Sequence, residues 1–321
     1  MKKVLVTGGA GYVGSHCCKA FAAAGWDVTV FDNFSRGHRE AVLWGPAIDG
    51  DLLDPAALAR ALGEVRPDLV AHFAALTYVG ESVEDPGLYY RTNALGTLNL
   101  VDAMGRAGVG HLIFSSSCAT YGEPDRPTLD EGHRQWPISP YGWSKLVVER
   151  ILADYAVAHR LASVSLRYFN AAGGDLDGRI GEWHDPETHL IPLAIDAALS
   201  GDELAVNGTS FATPDGSAVR DFIHVEDLGD AHVRAADYCL AQPGAHAFNL
   251  GTGTGTSVRQ IIAEVERQTG RTIAQRPGPP RAGDPAALVA APDLARRTLG
   301  WTPRHSEIAT IIRTAIATRP A

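Results

Sequence analysis

Tyr141 and Lys145 stand four residues apart in Tyr141-Gly142-Trp143-Ser144-Lys145. On a helix that spacing sets both side chains on one face. A phenol with a pKa of about 10 is a poor base at neutral pH, and a neighbouring ammonium favours its phenolate. Such a pair suits removal of a proton from a hydroxyl whose carbon loses a hydride. The competing reading is an ordinary exposed helix face. Only four lysines occur (Lys2, Lys3, Lys19 and Lys145), so the pair carries weight. Upstream, Phe114-Ser115-Ser116-Ser117 closes an expected strand. Its hydroxyls fall at the carboxyl edge of the sheet, where open α/β folds bind ligands. A serine there can bridge a substrate oxygen and the tyrosine oxygen as a proton relay. Serine-rich strand ends are common, and this one gains its meaning from the Tyr-xxx-Lys pair.

A second constellation opens the chain. Thr7-Gly8-Gly9-Ala10-Gly11-Tyr12-Val13-Gly14 lies where a first strand hands over to a first helix. Gly8, Gly11 and Gly14 allow a tight turn, close backbone approach to a pyrophosphate and close helix-on-strand packing. The helix N-terminus adds unpaired N–H groups and the positive end of its dipole. The spacing is GxxGxxG rather than the commoner GxGxxG, and a purely structural turn is the alternative. Asp32, closing the second strand, accepts from ribose hydroxyls and repels a 2′-phosphate, which favours NAD over NADP. Arg36 nearby pulls weakly the other way.

Positioning these groups requires alternating strands and helices. Lys3–Val6, Val28–Phe31, Leu69–Phe73, His111–Phe114 and Ser163–Tyr168 read as strands. Tyr12–Ala24, Pro55–Leu62, a long segment from about Gly87 to Arg106, and a segment from Tyr141 read as helices. That order predicts an α/β fold, a Rossmann-type doubly wound parallel sheet covered on both faces. After about Asn170 the alternation gives way to Gly- and Asp-rich loops and shorter helices, including Val225–Leu240 and Val258–Thr269. The expected division is a dinucleotide-binding domain over 1–170 and a smaller, mainly substrate-binding α/β lobe over 171–321, some of whose segments return to the first domain.

Composition excludes several classes. A net charge of −9 argues against a nucleic-acid or acidic-membrane partner. The apolar run after Met1 is cut by Gly8, far short of a signal peptide, and no membrane-length apolar run exists. Cys17, Cys18, Cys118 and Cys239 have no zinc or redox spacing and read as buried reduced thiols of a cytoplasmic, soluble protein. The twelve histidines show no HExxH or paired ligand spacing, so no metal is expected.

The glycine turn, the serine run, Tyr-xxx-Lys and Arg167-Tyr168-Phe169-Asn170 together resemble the extended short-chain dehydrogenase/reductase family. Within it, the resemblance is to the branch that inverts carbon 4 of a UDP-hexose such as UDP-glucose. It covers nearly the whole chain. Supporting it are His72-Phe73-Ala74-Ala75, Val79-Gly80-Glu81-Ser82, Val219-Arg220-Asp221-Phe222-Ile223-His224-Val225, Asn249-Leu250-Gly251 and Arg281-Ala282-Gly283-Asp284-Pro285. The resemblance implies Tyr141 as base, Ser117 as relay, and Lys145 holding the nicotinamide ribose and tuning the tyrosine. It further implies that Gly8, Gly11, Tyr12, Val13, Gly14, Asp32, Asn33, Asp51, Leu52, Phe73, Ala74, Ala75, Asn93 and Tyr168 line NAD. Ser117, Tyr141, Asn170, Leu190, Arg220, Arg281, Asp284 and Leu288 then hold the UDP-sugar. Read without the family, Arg220 and Arg281 are surface or salt-bridge residues, although two arginines suit a bidentate grip on a diphosphate.

The implied reaction oxidises carbon 4, turns the keto sugar about its diphosphate linkage and reduces its other face. Related 4,6-dehydratases carry an Asp-Glu pair after the relay hydroxyl; Cys118 and Ala119 stand there instead. A non-catalytic NAD-binding regulator on the same fold is the rival from another class. Thr77 stands where many such epimerases have lysine, and Asn207 where phenylalanine is expected near the uridine. Leu288, at the position beside the sugar, leaves room for an N-acetyl group, and a UDP-pentose is also open. A homodimer, paired through the helices near Gly87 and Tyr141, is expected from the family.

Overall fold

The computed structural model describes residues 1–126, 128–280 and 285–319. Seven strands make one sheet: β1 (Lys3–Thr7), β2 (Asp27–Asp32), β3 (Ala47–Asp49), β4 (Leu69–His72), β5 (His111–Ser117), β6 (Ala162–Tyr168) and β7 (Ala245–Leu250). Their spatial order is 7-6-5-4-1-2-3, with every pairing parallel. The winding direction reverses between β1 and β4, which opens a crevice at the carboxyl ends of those two strands.

The sheet is buried on both faces, so its strands read as apolar runs. Alternation along β1 sends Val4 and Val6 into one core with Phe21, Cys17, Leu228 and Trp301. Leu5 goes into the other, with Phe31, Leu58, Leu62, Leu100, Met104, Val148 and Leu152. The covering helices are α1 (Tyr12–Ala23), α2 (Pro55–Val65), α3 (Gly96–Ala107) and α4 (Pro140–His159). Beyond them lie α5 (Leu190–Ser200), α6 (Val225–Ala241), α7 (Val258–Thr269) and α8 (Ile308–Ala317). Local chemistry sets several boundaries. Asp54 caps α2 ahead of Pro55, and Ser139 caps α4 ahead of Pro140. Gly108 ends α3 in the left-handed conformation.

Two features differ from the sequence expectation. The single helix predicted from about Gly87 to Arg106 is instead Pro86–Tyr89, a wider π-type turn over Tyr90–Leu95, and α3, with a separate short helix Val79–Glu84 ahead of it. Asp85 with Pro86 separates that short helix, and the π turn carries Asn93, a placement typical of functional positions. Strand β3 has only three residues on the exposed edge, too few to show a period. Strand β7 and helix α6 come from the second half of the chain and complete the sheet and its cover.

The rest of the second half has its own core. Ile191, Ile195, Leu204, Val206, Phe222, Ile261, Ile262, Val265, Ile311 and Ile312 pack together from α5, α7, α8 and short strands. Helix α7 opens on a full capping box between Ser257 and Gln260. Two-residue strands pair Val219–Arg220 with Thr256–Ser257 and with Ala287–Leu288. The four cysteines are free and buried. Among the described residues no helix is long and apolar enough to cross a membrane.

Candidate active site

The glycine turn brings three elements into backbone contact. Gly8 has φ +73°. A Cβ there would lie 2.4 Å from Ala74 N, and one at Gly14 would lie 2.1 Å from the Gly8 carbonyl. Phe73 and Ala74 both donate their N–H to the Thr7 carbonyl, at 2.8 and 3.0 Å. Helix α1 begins at Gly11 with no side-chain cap and no acidic residue in its first turn. Its leading N–H groups therefore suit a phosphate anion. Tyr12 and Val13 form that first turn, and Tyr12 Oη donates to the Gly173 carbonyl at 2.6 Å.

Asp32 closes β2, buried beside this turn. Its carboxylate accepts from Ala10 N at 3.0 Å and Phe34 N at 2.8 Å. Burial raises its pKa, and the backbone donors partly offset that. Asn33 Nδ2 donates to Asp51 at 2.8 Å, and Asp51 accepts from Leu53 N, which sets the adjoining Leu52 against Gly96. Arg36 pairs with Glu81 at 2.6 Å and lies over the Tyr78 ring, so its charge is engaged away from Asp32. A turn that any side chain would fill, an uncapped helix end and a buried carboxylate make a cradle that fits a dinucleotide.

Asn93 joins this cradle to the catalytic helix. It is 2% exposed. Its Oδ1 accepts from Leu76 N at 2.8 Å, while Nδ2 donates to the Leu76 carbonyl at 3.0 Å and to Ser144 Oγ at 2.9 Å. The half-buried Phe73-Ala74-Ala75 stretch is thereby held against α4.

On α4, Lys145 is 2% exposed, and its Nζ donates to the Ser115 carbonyl at 2.8 Å. Nζ lies 5.9 Å from the centroid of the Tyr141 ring and 4.9 Å from that of Phe114. Tyr141 stands near enough to Ser117 for the serine side chain to favour its phenolate. Ser117 Oγ also accepts from Ala119 N at 3.1 Å. Tyr168, opposite Ser117 in the sheet register, hydrogen-bonds through its hydroxyl to Ser115 Oγ. Burial pushes the Tyr141 phenol up to about 12, and the neighbouring Ser117 side chain pulls it partly back. Burial also pushes Lys145 down to about 7, against the opposing attraction of Glu149. In the chain by itself, Nζ donates to a carbonyl, and burial disfavours the charged form of both groups.

Behind this pair lies a polar network that sequence reasoning missed. The buried Arg167 guanidinium grips Glu149 at 2.6 and 2.9 Å. It also donates to Tyr121 Oη at 3.0 Å, which in turn donates to Asn249 Oδ1 at 2.6 Å. Glu149 follows Lys145 by one helical turn, and Ser116 Oγ donates to it. The network ties β5, α4, β6 and β7 together beneath the site.

The other described residues expected to hold the substrate lie on several elements of the second half. Arg220 and Leu288 are partners in a short parallel pairing. Arg220 donates to the Val219 and Pro285 carbonyls at 2.8 and 2.9 Å, and its charge lowers the pKa of the Cys118 thiol, which burial raises overall. Leu288 packs against the cluster of Cys118, Tyr121, Leu129 and Phe169, next to Ser117 in sequence. Asn170 N donates to the Asp221 carbonyl at 3.0 Å. The Asp221 carboxylate accepts from Thr252, Gly253 and Ala290 N–H groups and so fixes the surrounding turns. Leu190 begins α5 and packs on the lobe core. Thr77 is exposed after the cradle loop, and Asn207 pairs with Gly278 at the end of a lobe strand. Arg281 and Asp284 lie outside the described residues.

A second cluster also escaped the sequence reading. Glu182, His184, Glu187 and His189 converge although no metal-ligand spacing was expected. The alternating Glu-x-His-xx-Glu-x-His order carried the signal, but in a loop it has no periodic element to set its geometry.

A dinucleotide cradle that feeds a Tyr-xxx-Lys pair places this fold in the extended short-chain dehydrogenase/reductase class. Residues 4–251 match the model of the NAD dependent epimerase/dehydratase family, and the chain belongs to that family. It is 53% identical to a UDP-glucose 4-epimerase of Rhizobium leguminosarum bv. trifolii over 97% of this chain and 95% of that one. The crystal structure of UDP-glucose 4-epimerase from Brucella ovis in complex with NAD superposes with a TM-score of 0.96, at 52% identity and 98% coverage of both chains. A Stenotrophomonas maltophila UDP-glucose-4-epimerase with bound NAD and formylated UDP-arabinopyranose gives a TM-score of 0.95 at 37% identity, covering 99% of this chain and 98% of that one.

Proposed function

We propose that the protein is an NAD-dependent isomerase, a UDP-glucose 4-epimerase that interconverts UDP-glucose and UDP-galactose through a 4-keto sugar. The observation that carries this reading is the placement of Tyr141 beside Ser117 at the carboxyl edge of the sheet, one helical turn from Lys145. Gly8, Gly11, Tyr12, Val13 and Gly14 hold the NAD pyrophosphate. Asp32 and Asn33 hold the adenosine ribose, and Asp51 and Leu52 the adenine. Phe73, Ala74, Ala75, Asn93, Tyr141, Lys145 and Tyr168 receive the nicotinamide half. Bound NAD supplies a reversible hydride acceptor and, when oxidised, a positive charge near the phenol.

The chain's own groups move the proton. With Tyr141 in its phenolate form, which the positive charge of bound oxidised NAD would favour, Ser117 Oγ takes the proton from the sugar hydroxyl as it passes its own to Tyr141 Oη, and the reverse path returns it. Lys145, anchored on Ser115, orients the ribose. Arg220 and Arg281 grip the diphosphate, while Asn170, Leu190, Asp284 and Leu288 border the uridine and sugar. A site firm around the nucleotide and looser around the hexose lets the keto sugar present its other face.

A second reading, epimerisation of UDP-N-acetylglucosamine or a UDP-pentose, is favoured by Leu288, whose side chain lacks a hydroxyl and lies with Cys118 and Phe169. The division into a cofactor half (1–170) and a substrate lobe (171–321), with α6 and β7 returning to the sheet, belongs to the same proposal. So does a cytoplasmic homodimer: buried reduced cysteines suit a reducing compartment. Val83, Tyr90, Leu95 and Val157 stand exposed on the helices expected to pair. The test is conversion of UDP-galactose to UDP-glucose by purified protein with no NAD added. Conversion supports epimerisation with a retained cofactor; silence with and without NAD overturns it.

A further inference from the structure

Residues 180–189 lead from the sheet into α5 and carry four side chains that the proposed reaction does not use. One ligand atom from each of Glu182, His184, Glu187 and His189 lies within 4.8 Å of all the others. The Glu182 side chain is 7% exposed, Glu187 15% and His184 17%. His184 Nδ1 is buried without a hydrogen-bond partner. It stands 3.3 Å from Glu182 Oε1 and 3.7 Å from Glu187 Oε2, in a geometry that makes no hydrogen bond. Glu182 Oε1 also lies 3.0 Å from His189 Nδ1. A buried nitrogen without a hydrogen bond and flanked by two carboxylates calls for positive charge, which a proton on the ring or a bound cation supplies.

The donor set narrows the cation. Two imidazole nitrogens and two carboxylate oxygens suit a borderline divalent ion of the zinc type in four-coordination, whereas magnesium and calcium prefer all-oxygen shells. Two carboxylates also balance its charge. The loop is braced for such a role: Glu187 accepts from Thr188 N and His189 N, both at 2.7 Å, and Trp183 Nε1 donates to the Thr318 carbonyl at 3.1 Å. Its inner side meets the dinucleotide cradle. The His184 ring stands edge-on to Tyr12 and Tyr78, with centroids at 6.2 and 5.9 Å. His38, in the loop after Asp32, is 3.0 Å from the Trp183 carbonyl.

We propose that Glu182, His184, Glu187 and His189 bind a first-row divalent cation of the zinc type, which clamps residues 182–189 against the Tyr12 wall of the cofactor cleft and slows NAD release. The binding half stands on the cluster alone; the clamp half rests on the proposed NAD site.

The experiment takes the purified full chain, treated with EDTA and dialysed, and titrates it with zinc chloride by calorimetry, with metal content read by mass spectrometry. Binding of about one zinc per chain at micromolar concentration is expected, with a rise in melting temperature. His184→Gln and Glu187→Gln should each weaken zinc by more than the roughly 10–100-fold that loss of a supporting partner costs. Circular dichroism checks that both variants are folded. No binding by the wild-type chain, or equal binding by folded variants, overturns the site and leaves the cluster held by protons. NAD release, followed by displacement of the bound cofactor, should slow severalfold with zinc. Zinc binding with unchanged NAD release overturns the clamp alone, and neither result depends on epimerase turnover.

Discussion

Lys145 Nζ donates to the Ser115 carbonyl at 2.8 Å and stands 5.9 Å from the centre of the Tyr141 ring. The ammonium is therefore fixed to the strand that carries the relay serine, and it pays for burial without a direct bond to the phenol. Burial brings its pKa down to about 7. The folded state then binds fewer protons than the unfolded chain between that value and the ordinary lysine range, so this group's penalty is full below about pH 7 and fades as pH rises toward about 10. In NAD-stripped protein, Lys145→Met should raise the melting temperature by several degrees at pH 7 and much less at pH 10. Thermal melts at the two pH values check this. An equal change at both would remove the buried ammonium from the account.

Tyr141→Phe keeps the ring that meets Tyr89 edge-on and removes only the hydroxyl beside Ser117. Turnover of UDP-galactose should fall by about 10²–10⁴-fold, the usual contribution of general acid–base catalysis. Bound NAD, released by denaturation and measured by chromatography, should be unchanged. Loss of cofactor together with activity would assign the hydroxyl to binding.

Asn93 makes three hydrogen bonds that join the cradle loop to α4. Asn93→Ala strands the Leu76 backbone groups in a buried setting, a cost of about 1–3 kcal/mol for each unsatisfied group. Urea unfolding should show a loss in that range. Turnover should fall as well, since the loop and the catalytic helix lose their common tie. A neutral change in both would mean that water replaces the amide.

The Glu149–Arg167 pair lies under the site with side chains 9% and 7% exposed. Removing one partner leaves the other charge buried and unpaired, which costs about 3–5 kcal/mol. Glu149→Ala should therefore destabilise strongly, while the double change Glu149→Leu with Arg167→Met should recover much of the loss. Denaturant midpoints of the three proteins decide it. Equal destabilisation by the single and double variants would mean that shape, rather than charge, dominates.

The parts of the site legible in the sequence are those built within one turn or one strand end. Gly8 and Gly14 are forced by backbone approach distances, Asp32 follows from the end of β2, and Tyr141 with Lys145 follows from helical spacing. What was not legible depends on distant partners. Nothing local to Asn93 names Ser144, and nothing near Arg167 names Glu149 or Tyr121. The π turn at Tyr90–Leu95 interrupts a helix whose apolar spacing looks continuous. The Glu182–His189 cluster sits in a loop, where periodicity gives no guide to which side chains meet.

Leu288 pairs with Arg220 across a two-residue ladder and packs against the cluster of Cys118, Tyr121, Leu129, Phe169 and Ala290. On the proposed function Leu288 borders the sugar, and its size sets the room there. Leu288→Tyr should leave UDP-glucose turnover within a fewfold of the parent while cutting UDP-N-acetylglucosamine turnover far more, because the larger ring excludes the N-acetyl group and not the bare hydroxyl. A steric block of this kind is worth several kcal/mol, against about 1–3 for a missing methylene in a pocket. The discriminating measurement is the ratio of kcat/KM for the two substrates in both proteins. A ratio that moves tenfold or more toward UDP-glucose places Leu288 at the sugar. An unchanged ratio assigns that leucine to packing against Phe169, and the breadth of substrate is then set elsewhere.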